Sequence, residues 1–204
     1  MSYSQFTLAT VKKTFSLTTS EKVDIFADVT KLKCSEYLTD TLRYNVPLAL
    51  ASDSEKARSE MIIAPILIET RKQLDSNLNL FSGVEFDVDV DQGLTGYCDF
   101  IITHSSEQLF ITSPVMMLVE AKNEKIRAGL GQCVAEMVAA QIFNEREGNP
   151  IPTIYGAVTT GSNWKFIKLT GKVVEIDLTE YYLTDIEKIM GVLSAGIQKG
   201  RAEK

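Results

Sequence analysis

The stretch Val-Met-Met-Leu-Val-Glu-Ala-Lys, residues 115–122, decides how the rest of the chain is interpreted. Its first five residues are all apolar, which is typical of a strand buried on both faces in the middle of a sheet. Glu120 and Lys122 follow two positions apart, so their side chains point to the same face of that strand. Taken alone, a Glu-x-Lys pattern is a weak signal that occurs by chance in many proteins.

Three further strands are predicted before this one. Residues 97–103 form a strand that carries Asp99 near its start and apolar residues behind it. Residues 84–90 alternate between apolar and acidic side chains, which is typical of a half-buried strand. Four carboxylates on one face of that strand suggest a cation site, but a solvated strand face is the commoner explanation. Residues 108–112 predict another strand.

Helices are predicted on both sides of these strands. The Ser-Asp-Ser-Glu pattern at residues 52–55 is a capping box, which predicts the start of a helix. Glu60 lies on the apolar stripe of that helix, where a carboxylate is either paired in the core or directed at a site. A longer helix is predicted over residues 126–146, and Gln132 and Glu136 share one of its faces.

The remaining elements indicate the fold class. Residues 154–159 predict a strand, residues 164–169 and 172–176 a hairpin, and residues 184–198 a final amphipathic helix. The order helix, strands, helix, strand and hairpin is typical of an α/β fold with a mixed central sheet flanked by helices.

The first 50 residues show no long, clean periodicity. We expect short helices at residues 20–29 and 35–44, with a connector around Pro47. Residues 1–50 are therefore interpreted as an N-terminal appendage that packs on the main domain, residues 51–204.

Composition narrows the classes of function. Lys and Arg total 21 and Asp and Glu total 27, so the formal net charge is −6, whereas a general nucleic-acid coat protein would be basic. The single His104 excludes a site that needs two histidines, and three widely spaced cysteines argue against a disulfide framework. We find no signal-peptide pattern and no apolar run approaching the ~18 residues of a membrane span, so we expect a cytoplasmic protein without membrane association.

Asp99, Glu120 and Lys122 are the main candidates for a site. Placing their strands side by side can bring the three side chains together at one edge of the sheet. Two carboxylates beside an ammonium in apolar surroundings suit a hard divalent cation, and oxygen ligands without His or Cys favour Mg²⁺ or Mn²⁺ over zinc. The alternative is a buried Glu–Lys ion pair.

The order of these residues resembles the PD-(D/E)xK nuclease superfamily. Asp99 is followed, after twenty residues, by Glu120-Ala-Lys122 on the next apolar strand. Glu60 on the preceding helix and Gln132 on the following helix lie where many members place further site residues. Over about residues 50–180 the chain resembles an uncharacterised bacterial branch of that superfamily, common in cyanobacteria.

The resemblance implies a restriction endonuclease-like core and hydrolysis of phosphodiester bonds that depends on Mg²⁺ or Mn²⁺. It implies that Asp99 and Glu120 hold the metal and that Glu60 adds a ligand. Lys122 is implied to assist the attacking water and the charged transition state, and Gln132 to orient the site from the following helix.

The chain departs from the superfamily pattern at two positions. Cys98 stands where Pro often precedes the aspartate, a position that is not a ligand. Glu136 stands four residues after Gln132, where some members have Tyr, and this leaves the role of the helix open.

Basic residues mark the C-terminal hairpin. Lys165, Lys168 and Lys172 give a charge of +3 near Trp164, with no acidic residue in positions 155–172. Lys165 and Lys168 are therefore candidate contacts for a nucleic-acid backbone. Lysines that protect an exposed edge hairpin from aggregation are an equally weighted alternative.

The sequence thus predicts a metal-dependent nuclease that acts on DNA, with RNA as the alternative substrate. The rival hypothesis is a non-catalytic binding or assembly module that retains the nuclease-like fold. The acidic charge and the lack of a recognisable DNA-reading domain favour the module, whereas the intact Asp99, Glu120 and Lys122 favour the enzyme. A homo-oligomer is compatible with either hypothesis.

Overall fold

The computed structural model describes residues 1–22, 24–74 and 78–199. The protein is α/β, with a mixed, open central sheet flanked by helices. The strands are β1 (Thr18–Lys22), β2 (Leu78–Glu85), β3 (Tyr97–His104), β4 (Val115–Ala121), β5 (Thr153–Thr159), β6 (Asn163–Thr170), β7 (Val173–Asp177) and β8 (Tyr181–Tyr182). The α-helices are α1 (Leu8–Phe15), α2 (Glu36–Ser52), α3 (Glu55–Arg58), α4 (Ala64–Leu74), α5 (Ile126–Arg146) and α6 (Ile186–Lys199).

The sheet has the strand order β1-β7-β6-β5-β4-β3-β2, and the short β8 pairs with β6. Strands β2, β3 and β4 form an antiparallel meander, whereas β4 and β5 are parallel. A parallel pair needs a crossover connection, and here α5 supplies it. The whole of β4 is buried, as its apolar sequence predicts for a central strand.

Helices cover both faces of the sheet, so there are two hydrophobic cores. The core on one face contains α5 and α1, and the core on the other contains α2, α4 and α6. Each buried Leu, Ile, Val or Met side chain stabilises the fold by about 1.5–3 kcal/mol relative to exposure. Since β4 contributes side chains to both cores, the residues that follow it are held in a fixed position.

The N-terminal segment differs from its prediction in two places. The predicted helix at residues 20–29 is wrong: residues 18–22 form the edge strand β1, which pairs in parallel with β7. The connector predicted at Pro47 is also wrong, because α2 continues through this residue. Pro47 lies on the exposed side of α2, where water can solvate the carbonyl group that loses its helical hydrogen bond.

The acidic segment predicted as a strand over residues 84–90 is mostly a loop, since β2 ends at Glu85. Its carboxylates serve as local partners. Asp87 accepts a hydrogen bond from the backbone of Gly96 at 2.8 Å, and Asp89 pairs with Arg146 at 2.8 Å. The strand predicted at residues 108–112 is absent, although these residues are fully described.

The C-terminal hairpin is confirmed as β6 and β7, but it does not lie at an edge of the sheet. β5 covers one side of it and β1 covers the other. The expectation of an exposed edge hairpin is therefore wrong. In the described part of the chain, no helix combines the length and apolar character that crossing a bilayer requires.

Candidate functional site

The antiparallel pairing of β3 with β4 places Asp99 beside Glu120. Phe100 is opposite Val119, so the preceding residue of β3 is level with the following residue of β4. Side chains opposite one another on neighbouring strands share a face of the sheet. A carboxylate oxygen of Asp99, Oδ2, accepts a hydrogen bond from the backbone N–H of Ala121 at 2.7 Å. This contact fixes the Asp99 carboxylate next to the Glu-x-Lys segment.

Glu120 and Lys122 form an ion pair at the end of β4. The ammonium Nζ of Lys122 contacts Oε1 of Glu120, and the two side chains are 20% and 1% exposed, respectively. The backbone N–H of Lys122 donates to the carbonyl of Thr159 at 2.8 Å, which ties this residue to the end of β5. The alternative of a buried Glu–Lys ion pair is thus realised in the structure, in direct proximity to Asp99.

Two side chains of α5 extend this cluster. The Lys122 ammonium lies 3.5 Å from Oε1 of Gln132, and Nε2 of Gln132 donates to Oε1 of Glu136 at 3.1 Å. Glu136 is completely buried. Among the described residues, neither Oε2 of Glu120 nor Oε2 of Glu136 has a hydrogen-bond donor. Since a buried carboxylate without a partner is costly, this arrangement calls for a shared proton or a cation.

The electrostatic consequences follow from burial. Desolvation raises the pKa of the Glu120 carboxyl, and repulsion from Glu136 and Asp99 raises it further, against the opposing effect of Lys122. Desolvation also raises the pKa of the Glu136 carboxyl, which its hydrogen bond from Gln132 partly offsets. For Lys122, burial lowers the pKa, but pairing with Glu120 outweighs this and the net pKa is raised. Lys122 is therefore positively charged at neutral pH.

A glycine of α5 makes the space that Lys122 occupies. A Cβ atom at Gly129 would lie 2.7 Å from Cγ1 of Val158 and 3.1 Å from both Cγ and Cε of Lys122. Contacts below 3.0 Å are not seen for real Cβ atoms, so any larger residue would displace its neighbours. The Lys122 side chain can thus follow this path because Gly129 on the neighbouring helix has no side chain.

The outer side of the site is a cavity of about 210 Å³ next to Asp99. Its walls come from the helical segment before α4 and from the edge strand β2. The lining residues are Glu55, Lys56, Ser59, Glu60, Ser82, Gly83 and Asp99. Glu60 therefore borders the same cavity as Asp99.

Glu60 is not part of an apolar stripe as predicted. Residues Ser59–Ile63 form one turn of π-helix, in which the N–H of Ala64 bonds to the carbonyl of Ser59. The wider turn breaks the 3.6-residue period on which the prediction rested. The Glu60 side chain is 59% exposed and pairs with Lys56 at 2.9 Å. The start of this helix is also corrected, because Ser54 rather than Ser52 is the N-cap and accepts from Ala57.

Sequence reasoning missed Arg58 and Gly129, and it noted Glu136 without assigning it to the site. Arg58 donates to Oδ1 of Asn123 at 3.0 Å and to the carbonyl of Thr160 at 3.2 Å, so it ties the helical wall to the ends of β4 and β5. The spacing of four residues between Gln132 and Glu136 was a usable signal for Glu136. For Arg58 and Gly129 the sequence holds no such signal, because their contacts are non-local.

The two predicted nucleic-acid contacts lie away from this cluster. Lys165 is buried, and its ammonium donates to the carbonyls of Asp177 at 2.9 Å and Leu178 at 3.1 Å. It is therefore unable to reach a phosphate backbone, and that assignment is corrected. Lys168 lies 5.4 Å from the ring centre of Phe26 and 3.7 Å from a carboxylate oxygen of Glu175.

The site offers a divalent cation only a small number of protein ligands. In residues 1–22, 24–74 and 78–199 no group of three or more His, Cys, Asp or Glu side chains is arranged to hold a metal ion, so the predicted trio of Asp99, Glu120 and Glu60 is not assembled. Mg²⁺ is commonly bound through one or two carboxylates, with waters and substrate oxygens completing its shell. Asp99 fits that mode together with the buried Oε2 of Glu120, which has no donor in the part of the chain that the structure describes.

Comparison with known proteins adds no relative: no protein-family model, curated protein or solved structure matches the chain. The functional interpretation therefore rests on the residues and geometry of the chain itself.

Proposed function

We propose that the protein is a metal-dependent nuclease that hydrolyses phosphodiester bonds of DNA, with RNA as the alternative substrate. The observation that carries the proposal is the convergence of Asp99, Glu120 and Lys122 at one end of the central strands, where a buried carboxylate oxygen finds no donor among the described residues. Two of these side chains are carboxylates and one is an ammonium, and a backbone N–H holds the Asp99 carboxylate in place.

The order of the structural elements supports a restriction endonuclease-like core. Helix α4 precedes the β2–β3–β4 meander, and α5 then leads to the parallel strand β5. Asp99 lies on β3, Glu120 on β4 and Gln132 on α5, which is the order on which the resemblance to the PD-(D/E)xK superfamily rests.

Asp99 and Glu120 would hold Mg²⁺ or Mn²⁺ between them. When bound, such a cation supplies Lewis acidity towards water and towards phosphoryl oxygens. The contact of Asp99 with the Ala121 N–H keeps its carboxylate oriented without help from solvent. The low exposure of Glu120 strengthens any electrostatic interaction that its carboxylate makes.

Lys122 provides a fixed positive charge. Its ammonium lies between Oε1 of Glu120 and Oε1 of Gln132, and its aliphatic part lies against Gly129. A charge that is already oriented stabilises a developing anion without a reorganisation cost at the moment of reaction. We therefore assign to Lys122 the role of stabilising the pentavalent, phosphorane-like transition state.

A binding or assembly module is the second candidate. It is favoured by the Lys122–Glu120 pair, which neutralises the lysine within the chain, and by the net charge of −6. In that case the cluster is structural and the cavity beside Asp99 has no catalytic role.

A cleavage assay separates the two functions. Wild type, Lys122→Ala and the matched control Lys56→Ala are incubated with plasmid, linear duplex, single-stranded DNA and RNA, in Mg²⁺ and in Mn²⁺. We expect wild type and Lys56→Ala to cleave at least one substrate, and Lys122→Ala to be slower by about a hundredfold. Wild-type protein that is inert on every substrate with both ions would support the binding module.

A further inference from the structure

Glu136 has no role in the function proposed above, yet it is the most deeply buried carboxylate of the cluster. Its neighbours along α5 are core residues, including Cys133, Met137 and Ala140. An apolar side chain would be cheaper at such a position, because burial of a charged or polar group costs free energy unless it is compensated. Glu136 therefore needs an explanation beyond packing.

Among the described residues, the amide of Gln132 donates to Glu136 over 3.1 Å, and the carboxyl group of Glu120 is also within hydrogen-bonding reach of it. This contact decides which way the amide points. With Nε2 directed at Glu136, the amide oxygen Oε1 is directed at the Lys122 ammonium, 3.5 Å away. The reverse orientation would place the amide hydrogens against an ammonium group and the amide oxygen against a carboxylate. Both contacts would then be repulsive, so Glu136 fixes the polarity of Gln132.

We propose that Glu136 is a positioning residue that acts through Gln132 on Lys122, an inference that rests on the catalytic role proposed for Lys122. The ammonium of Lys122 has two acceptors, Oε1 of Glu120 and Oε1 of Gln132. Glu120 alone would hold the ammonium along β4. The second acceptor, kept in place by Glu136, holds it towards α5 and so sets its direction.

Three variants test the proposal. Glu136→Gln keeps an acceptor for Gln132, and Glu136→Leu removes it with little change in volume. The matched control is Glu69→Leu on α4, since Glu69 is also buried and accepts from Gln73 at 2.7 Å with the same spacing of four residues. We expect Glu136→Leu to lower kcat by roughly ten- to a hundredfold with KM unchanged. Glu136→Gln and Glu69→Leu should retain kcat.

A second readout does not depend on activity. Solvent exchange of the Gln132 side-chain amide protons is followed by NMR, with Gln132→Met used to assign the resonances. Wild type and Glu136→Gln should show slow exchange, and Glu136→Leu should exchange roughly tenfold faster, because a buried hydrogen bond is lost. If Glu136→Leu does not fold, Gln132→Met replaces it in the kinetic comparison and should lower kcat to the same extent.

The outcomes separate the two proposals. Unchanged exchange in Glu136→Leu, or equal loss of kcat in Glu136→Leu and Glu136→Gln, would overturn the positioning role. Faster exchange with unchanged kcat would also overturn it. If the wild type cleaves nothing, the proposed function fails by itself, and the exchange rates then decide whether Glu136 fixes Gln132.

Discussion

Two Lys–Glu pairs lie close to Asp99, and they differ in almost every physical respect. Lys122 and Glu120 are 20% and 1% exposed at the end of a central strand, whereas Lys56 and Glu60 are 83% and 59% exposed on a helix. We call Lys122–Glu120 the inner pair, in which Lys122 also contacts Gln132 of α5. We call Lys56–Glu60 the outer pair, whose two residues lie on one helical segment and contact each other. An exposed pair contributes little to stability, because solvent screens it and ordering two long side chains costs entropy.

The comparison shows that residue types and proximity do not define a site. Both pairs have the same chemistry, but only the inner pair has a charge that is oriented before any ligand arrives. The outer pair borders the cavity of about 210 Å³ and is mostly exposed to solvent. We therefore expect changes to the inner pair to have large effects and changes to the outer pair to have small ones.

The largest effect on stability is expected for Lys122→Met. The substitution leaves a buried oxygen of Glu120 without the ammonium that contacts it, and a buried polar group that loses its partner costs about 1–3 kcal/mol. Urea denaturation at neutral pH measures the loss. Lys56→Met is the matched control and should leave the midpoint unchanged. Equal shifts for the two variants would show that burial does not distinguish the pairs.

The pH dependence of stability sharpens the comparison. The carboxyl groups of Glu120 and Glu136 have pKa values raised above 4.5, mainly by burial, so the folded state retains protons that the unfolded state has already lost. The contribution of these two groups to the stability of the metal-free protein is then greatest below pH 4.5 and falls as pH rises towards the raised pKa values. Each proton that the folded state holds in excess of the unfolded state lowers the free energy of unfolding by about 1.4 kcal/mol per pH unit of increase.

Thermal melting between about pH 5.5 and about pH 7.5 tests this slope. Glu136→Gln cannot ionise and should flatten it, whereas Glu60→Gln on the exposed pair should not. A wild-type slope equal to that of Glu136→Gln would mean that the Glu136 carboxyl group titrates normally.

A smaller effect is expected for Gly129→Ala, which perturbs the inner pair alone. The added methyl group overpacks the space against Val158 and Lys122, at a cost of about 1–3 kcal/mol, and the better helix propensity of alanine returns about 1 kcal/mol. We expect a modest net loss of stability together with slower cleavage. A more stable variant with unchanged cleavage would show that the lysine does not need this space.

The parts of the fold that the sequence predicts well are those with strong local patterns. The apolar run of residues 115–121 predicted the bounds of β4, and the long helical pattern of residues 126–146 predicted those of α5. The placement of Glu120 and Lys122 on the same face follows from the two-residue period of a strand. The edge strand β1 was missed because its identity depends on pairing with β7, more than 150 residues away in the chain. Such pairing leaves no local signal.

The sequence predicted only part of the site, and the errors have similar causes. Glu60 was misplaced because one turn of π-helix shifts the helical register, which a regular period cannot anticipate. Lys165 was misjudged because β6 is buried along most of its length, and this burial depends on the helical layers that pack on both faces of the sheet. The burial of Glu136 depends on how α5 crosses the sheet, so the sequence shows its spacing from Gln132 but not its contact with the site.

Calorimetric titration with Mn²⁺ tests the central claim most directly. The claim is that Asp99 and Glu120 form a cation site and that the outer pair, Lys56 and Glu60, does not. We expect the wild type to bind Mn²⁺, Asp99→Ala to lose binding, and Glu60→Ala to bind with wild-type affinity. Absence of binding by the wild type would contradict the account. So would a loss of affinity in Glu60→Ala as large as that in Asp99→Ala.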